Sequence, residues 1–390
     1  MNTKFKEMLH TVGLFTDSFS PMIDGVATVV KNYASEMHKL GLPVCVVAPS
    51  CQTTVNEPFT VFRYASLALP LRKPYRAGLP FADYVIYNKL QNSNLGIIHA
   101  HSPFYSGNIA LNFARKHKIP LIATFHSKFK DNFTKIIPSE FIVNQIIKKL
   151  VSFYEQADEV WIPQRSVEAT IREYGYKGKV EVIENGCDFA QPRDVGLHKH
   201  LAREKLGIFP SETMYLFVGQ HIYEKNIELI LRALEKIKHT DFKMFFVGAG
   251  YAEKNFRKFA SQLNICNKVE FVSLIEDREQ LAEYYAAADL FLFPSLYDTS
   301  AIVVREAAAF ATPSVIIRNS TISEIIVDNQ NGFLTENTVL SFAEKLIFLQ
   351  NEKQKLVQAG RSAQATLTRS WENITAEVTE RYANLIKRKS

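Results

Sequence analysis

Cysteine is scarce in this 390-residue chain, which has four: Cys45, Cys51, Cys187 and Cys266, with no C-x-x-C pair and no metal-ligand spacing. Neither a disulfide framework nor a zinc site is implied, and a reducing cytoplasm suits such cysteines. Long apolar runs are missing too. Nowhere do about 18 apolar residues follow one another without charge, so no transmembrane helix is expected and any membrane contact is peripheral. Lys4 and Lys6 precede a short apolar run that ends at Asp17 without a small-residue cleavage site, which argues against a secretory signal. With 16 Gly and 15 Pro the chain is neither collagenous nor low in complexity, and no repeat of 20–50 residues is visible.

What is present is ordinary globular material, 47% hydrophobic and 22% charged, long enough for two domains with a core each. The net charge of +6 is unevenly placed: residues 1–150 hold 17 basic against 8 acidic side chains, and residues 151–190 hold 4 against 8. A basic first third suits an anionic partner such as a lipid surface or nucleic acid; a solvated basic face explains it equally well.

Short runs rich in β-branched and aromatic residues alternate with helical stretches. The first series is Thr11–Thr16, Val44–Ala48, Gly96–Ala100, Pro120–Phe125, Glu159–Ile162 and Val180–Ile183. The second is Met214–Val218, Lys243–Val247, Val269–Val272, Leu290–Phe293 and Ser314–Ile317, spaced by amphipathic segments such as Asn226–Lys238 and Glu279–Ala288. This alternation predicts two α/β units with parallel sheets. Asp188 to Pro210, polar and broken by Pro192, Gly196 and Pro210, reads as the linker. The boundaries expected are 1–190, 191–370 and a closing amphipathic helix over 371–390, with apolar Ile374, Val378, Tyr382 and Ile386 four apart. Open parallel sheets place ligands beyond the carboxyl ends of their strands, so chemistry is sought in those loops.

In the first unit, Asp24-Gly25-Val26 leads from the opening strand into a helix, where Gly25 would let backbone N–H groups approach a phosphate or would simply make a turn. His99, His101 and His126 end adjacent strands, where they could meet an acceptor hydroxyl, bind metal or serve as hydrogen-bonded structural residues. In the second unit, Gly219 to Asn226 follows a strand and opens a helix, with Lys225 placed to face growing negative charge. Pro294 to Glu306 again runs from strand end into helix and sets Asp298 in the loop and Glu306 about two turns into the helix. Such carboxylates can accept from two sets of sugar hydroxyls while loop N–H groups hold phosphate. Gly248-Ala249-Gly250 lacks a third glycine, because Glu253 stands there, which counts against a nicotinamide enzyme. Asp277-Arg278-Glu279 reads as a helix cap rather than a metal site.

The ordered set of Asp24-Gly25-Val26, His99/His101, Thr124-Phe125-His126, Asn185-Gly186-Cys187-Asp188, Gly219 to Asn226, Pro294-Ser295, Asp298 with Glu306 and Ser370-Trp371-Glu372 resembles the retaining glycosyltransferases of family four. The resemblance covers nearly the whole chain. It implies the GT-B fold: α/β, two Rossmann-like domains facing a cleft, with the last helix crossing back to the first domain. By position it implies that Glu306 binds the nucleotide ribose, Asp298 the donor sugar and Lys225 the leaving diphosphate. The same positions put Gly219, Gln220 and Asn226 at the donor and give Thr299, Ser300, Ala301 and Ile302 the diphosphate through backbone N–H groups. Gly25 would approach the donor phosphates, and His126 would stand beside the reacting centre. His99, His101 and Lys128 would lie on the acceptor side. No cofactor and no metal are implied, the nucleotide sugar being a substrate, and no nucleic acid.

Where the family has Arg, Glu and Gly, this chain has Gln220, Asp298 and Ala301. The loss of one cation, a carboxylate arm shorter by about 1.5 Å and an added methyl keep a weakly active or non-catalytic binding subunit in view. The acceptor tract interleaves Lys128, Lys130 and Lys135 with Phe129, Phe133, Ile136 and Ile137, and continues to Lys148-Lys149. It is similar to the acceptor domains of bacterial diacylglycerol glucosyltransferases and phosphatidylinositol mannosyltransferases, which implies hexosyl (glucosyl) transfer from a UDP-sugar to a lipid on the inner face of the cell membrane. A soluble glycan or protein acceptor and a sugar-nucleotide epimerase of the same fold are the alternatives. The oligomeric state is left open.

Overall fold

The computed structural model describes residues 10–389 apart from 52, 54, 70–74 and 80–82. Two units emerge, one formed by residues up to Gly186 together with Trp371 onward, the other by Cys187–Ser370.

In the first unit β1 (Thr11–Phe15), β2 (Val44–Pro49), β3 (Thr60–Tyr64), β6 (Leu95–Ala100), β7 (Leu121–Thr124), β8 (Glu159–Ile162) and β9 (Val180–Val182) form one parallel sheet, ordered β3-β2-β1-β6-β7-β8-β9. A small antiparallel pair, β4 (Ser66–Ala68) and β5 (Arg76–Gly78), stands apart from it. The second unit repeats the plan with β10 (Thr213–Val218), β11 (Phe242–Val247), β12 (Val269–Val272), β13 (Leu290–Phe293), β14 (Ser314–Ile317) and β15 (Phe333–Thr335), ordered β12-β11-β10-β13-β14-β15. Strand order reverses at β1/β6 and at β10/β13, the switch points where such sheets open a crevice for ligands. Every residue of β2, β10, β13 and β14 is buried, because crossover helices cover both sheet faces.

The elements begin where local chemistry favours them. Asp24 caps the helix Gly25–Lys39 by accepting from the Ala27 N–H at 2.8 Å, and Ser18 Oγ steadies its other oxygen at 2.5 Å. Asp277 caps Arg278–Ala287 by accepting from the Glu279 N–H. Trp371–Lys389 belongs to the first unit and buries Trp371, Ile374, Val378 and Tyr382, with the Tyr382 ring stacked on Trp161 at 5.7 Å. Gly186 is needed where this helix begins: a Cβ there would lie 2.7 Å from the Trp371 ring.

Two expectations change, and a third motif finds its explanation. The boundary falls after Gly186 rather than at 190, since the Cys187 N–H donates to Arg369 O at 2.8 Å and the Cys187 side chain joins the second core. Asp188 to Pro210 is not a linker: it contains the helix Val195–Lys205, whose Arg203 donates to Asp289 Oδ2 at 2.9 Å and to Phe209 O at 2.8 Å. The Gly248-Ala249-Gly250 turn is a packing device. A Cβ at Gly248 (φ 143°) would lie 2.1 Å from Gly219 O, and one at Gly250 2.3 Å from His221 O, so the loops after β10 and β11 touch through backbone.

Candidate active site

Lys225 and Asp298 come from loops after β10 and β13, which are neighbours in the sheet. Lys225 Nζ donates to Asp298 Oδ1 at 2.6 Å and stands 5.5 Å from the centre of the Phe293 ring. The pair is mostly buried, and Asp298 Oδ2 has no hydrogen-bond partner among the described residues. A buried carboxylate oxygen without a donor is costly, so this one is suited to a ligand hydroxyl. Lys225 does not open an α-helix: it ends the single 3₁₀ turn Tyr223–Lys225, and Asn226 (φ 57°) separates it from Ile227–Lys236. Its ammonium charge therefore acts without a helix dipole behind it. Asn226 Nδ2 donates to Pro294 O at 3.3 Å and Asn337 Oδ1 at 3.0 Å, tying the loops after β10, β13 and β15 together. Gly219 and Gln220 lie at the start of the first of these loops.

Thr299, Ser300 and Ala301 lead into the helix Ile302–Ala309, whose N-cap, Ala301, offers no side-chain oxygen to the first-turn N–H groups. Glu306 is one turn into this short helix, not two. Its side chain is almost fully buried: Oε1 accepts from Arg278 Nη2 at 2.7 Å and Oε2 from the Tyr285 hydroxyl at 2.6 Å. Burial pushes the Glu306 carboxyl up, and the Arg278 guanidinium pulls it back. Arg278 also donates to Asp188 Oδ1 at 2.6 Å and lies 4.0 Å from the centre of the Phe189 ring. Arg278 and Tyr285 are not among the sequence candidates. The signal for the former sat inside Asp277-Arg278-Glu279, where the cap explains Asp277 alone.

In the first unit Gly25 is the first residue of its helix, and a Cβ there would meet nothing within 4 Å. Nothing in the protein's own packing demands glycine at this point, which leaves room for a close ligand. His99 is withdrawn from any acceptor: it is fully buried, Nδ1 is 2.6 Å from the Tyr382 hydroxyl and Nε2 is 2.6 Å from Thr124 Oγ1. His101 is buried behind His126, with Nδ1 3.0 Å from His126 Nε2, and its own Nε2 has no partner among the described residues. Half-buried His126 is the member of the trio nearer the surface. Burial lowers all three imidazoles, His126 to about 3, so the cluster is neutral at physiological pH. Sequence reasoning missed Asp17, which accepts from the Tyr64 hydroxyl at 2.6 Å and from the Ser106 N–H at 3.0 Å, joining the loop after β1 to the helix Tyr105–His117.

Lys128 precedes the short helix Phe129–Thr134, which is followed by Glu140–Tyr154. Phe129 is buried, and Phe133 and Ile137 pack against the core, so these three do not face outward. The exposed apolar groups are instead Ile136, Phe141 (72% exposed) and Ile142, with Lys135, Lys148 and Lys149 exposed nearby in the chain.

Residues 23–191 match the family described as Glycosyltransferase Family 4, and residues 199–366 match Glycosyl transferases group 1. The chain is 30% identical over 337 residues to an alpha-monoglucosyldiacylglycerol synthase of Streptococcus pneumoniae, covering 83% of this chain and 74% of that one. A protein of the same name from Acholeplasma laidlawii is 23% identical over 90% of this chain and 91% of its own. Among solved structures, sucrose-phosphate synthase of Thermosynechococcus elongatus superposes with a TM-score of 0.81 at 20% identity, covering 97% of this chain and all of that one. Anabaena HepE in complex with UDP-glucose superposes with a TM-score of 0.75 at 16% identity, covering 96% and 99%. The likeness of fold and the ordered motifs agree, and the chain belongs to glycosyltransferase family 4, with the GT-B fold.

Proposed function

We propose that this glycosyltransferase moves glucose from UDP-glucose, with retention, to a hydroxyl of a membrane lipid such as diacylglycerol. The observation that carries the reading is the 30% identity, over 83% of this chain, to an enzyme named for making monoglucosyldiacylglycerol. The site chemistry supports it. Asp298 Oδ2 offers a sugar hydroxyl its buried acceptor, and Glu306 offers the ribose a carboxylate with lone pairs to spare. Lys225, shared with Asp298 in this structure, neutralises charge on the departing diphosphate, together with backbone N–H groups of Thr299 to Ile302. The shorter arm of Asp298 still reaches Lys225, so the change from Glu keeps that contact.

In the reaction the bond between the anomeric carbon and the phosphate oxygen breaks, its electron pair leaving with UDP. The acceptor oxygen bonds to the same face of that carbon, and its proton passes to the departing phosphate. His126 is too weak a base to take that proton, with burial holding it at about 3, so its part is to position a hydroxyl by hydrogen bonding. Gly25 is assigned to the donor phosphates. The fixed positive group Lys225 does the work that a divalent ion would otherwise do, so no metal is required. The enzyme works in the cytoplasm, on the inner face of the cell membrane, through Ile136, Phe141, Ile142 and the lysines beside them. No helix among the described residues is long and apolar enough to cross a membrane.

Mass spectrometry of products from a panel of UDP- and GDP-sugars, each with diacylglycerol or a soluble glycan, tests the assignment. Glucosyl lipid from UDP-glucose supports it, and a soluble glycan product refutes the lipid acceptor.

A further inference from the structure

Glu306 sits in an unusual balance. Its carboxylate is buried, yet each oxygen carries one hydrogen bond, from Arg278 Nη2 at 2.7 Å and the Tyr285 hydroxyl at 2.6 Å. Each carboxylate oxygen has a second lone pair, so the two protein bonds fix orientation without filling the acceptor. Asp188 brings a second negative charge onto the same guanidinium at 2.6 Å. Arg278 is held over Phe189 at 4.0 Å, which keeps its planar fork in one place.

We propose that Arg278 is a positioning residue of the nucleotide site: it keeps Glu306 ionised and oriented with one lone pair of each oxygen turned to the two neighbouring ribose hydroxyls. This rests on the reading of Glu306 as the ribose-binding carboxylate. A protonated carboxyl would lose part of its accepting capacity, and burial together with Asp188 drives Glu306 toward that form. The charged and titratable groups facing Glu306 are Arg278 and Tyr285 from the helix Arg278–Ala287, and Cys187 and Asp188 from the segment after Gly186. The elements packed beneath add none. β13 and β14 have no titratable side chain, and the buried residues of Lys353–Leu367 are Leu356, Ala359, Gly360, Ala363 and Leu367. Among these groups Arg278 is the counter-charge that opposes the upward push of burial on Glu306.

The test is UDP binding by calorimetry on the full chain from pH 8 to pH 5.5, using wild type, Arg278→Gln, Arg278→Lys, Asp188→Asn, Glu306→Gln and the double variant Arg278→Gln/Asp188→Asn. Glu306→Gln supplies the baseline for ionisation of UDP itself. Arg278→Gln is expected to bind UDP about tenfold more weakly at neutral pH, and weaker still as the pH falls, because the unpaired Glu306 takes up a proton at a higher pH than in wild type. Arg278→Lys keeps the charge and stays near wild type in its pH dependence. Asp188→Asn, alone or in the double variant, moves the acid limb back to lower pH, since a like charge is gone, and this arm holds even if Arg278→Gln is unstable. UDP affinity in Arg278→Gln that runs parallel to wild type at every pH, whether equal or uniformly reduced, overturns the proposal. Wild-type affinity in Glu306→Gln, or no UDP binding by the wild-type chain, overturns the ribose reading beneath it.

Discussion

Lys225 and Asp298, 73 residues apart in sequence, meet at 2.6 Å above adjacent strands of the second unit. The ion pair is mostly shielded from water and leaves one buried carboxylate oxygen without a hydrogen-bond partner among the described residues. Lys225→Ala should lower kcat by a factor on the order of 10²–10³. Because the lysine and the carboxylate are in direct contact and are proposed to serve the same donor, Asp298→Ala in that background should cost less than it does alone. Steady-state kinetics on the two single variants and the double variant check this, and fully additive losses would separate the two roles.

Glu306→Ala and Glu306→Gln should both abolish measurable transfer, but they should differ in stability. Alanine leaves the Tyr285 hydroxyl buried without an acceptor and Arg278 with Asp188 alone, at a cost of about 1–3 kcal/mol. Glutamine keeps an acceptor in place. Urea unfolding compares the two: equal midpoints would show that the contacts to Glu306 carry no stability.

The histidine cluster sets a pH dependence of stability. His99, His101 and His126 all have imidazoles lowered from 6.5 by burial, so between that value and their folded values the unfolded chain binds more protons than the folded one. Stability is therefore complete above about pH 6.5 and falls as the pH drops below it, by up to about 1.4 kcal/mol per pH unit for each fully shifted group. The thermal midpoint measured from pH 7 to pH 5 should decline, and the decline should be smaller in His101→Asn, whose amide does not titrate and can either donate to or accept from His126 Nε2. A pH-independent midpoint would show that the three rings protonate without resistance.

On the first unit, Phe141→Ser with Ile142→Ser should weaken binding to anionic vesicles at every salt concentration. Lys135→Ser with Lys148→Ser and Lys149→Ser should weaken it mainly at low salt, each lysine contributing about 1 kcal/mol until screened. Flotation at two ionic strengths separates the terms. Unchanged binding in both triple and double variants would move the membrane contact elsewhere.

Much of the architecture is legible before any coordinates, because β13 is wholly apolar and β10 and β14 are apolar after their first residue, as strands buried on both faces tend to be. Two of the four edge strands escape that reading: β3 is mostly half-exposed and β15 has three residues. Pro192, Gly196 and Pro210 look like linker punctuation, yet the buried Ala202 and the bonds of Arg203 hold that stretch as a helix, a tertiary fact invisible to local pattern. In the candidate site, position along the chain names Lys225, Asp298 and Glu306, and the structure sets Lys225 and Asp298 in contact and buries Glu306 beneath Arg278 and Tyr285. It cannot tell that His99 is sealed by Tyr382, 283 residues away, nor that Arg278 reaches Glu306 from another helix. Long-range side-chain contacts such as these are set by packing, and no periodicity encodes them.

The proposed transfer of glucose with retention to a lipid hydroxyl is tested most directly by incubating the purified chain with UDP-α-glucose and vesicles containing diacylglycerol and anionic lipid, in the presence of EDTA. The expected result is release of UDP and formation of a monoglucosyldiacylglycerol whose anomeric proton, read by NMR, is that of the α-linkage. A β-linked product, or activity that returns only when Mn²⁺ or Mg²⁺ is added back, or UDP-glucose left intact beside diacylglycerol, would contradict it.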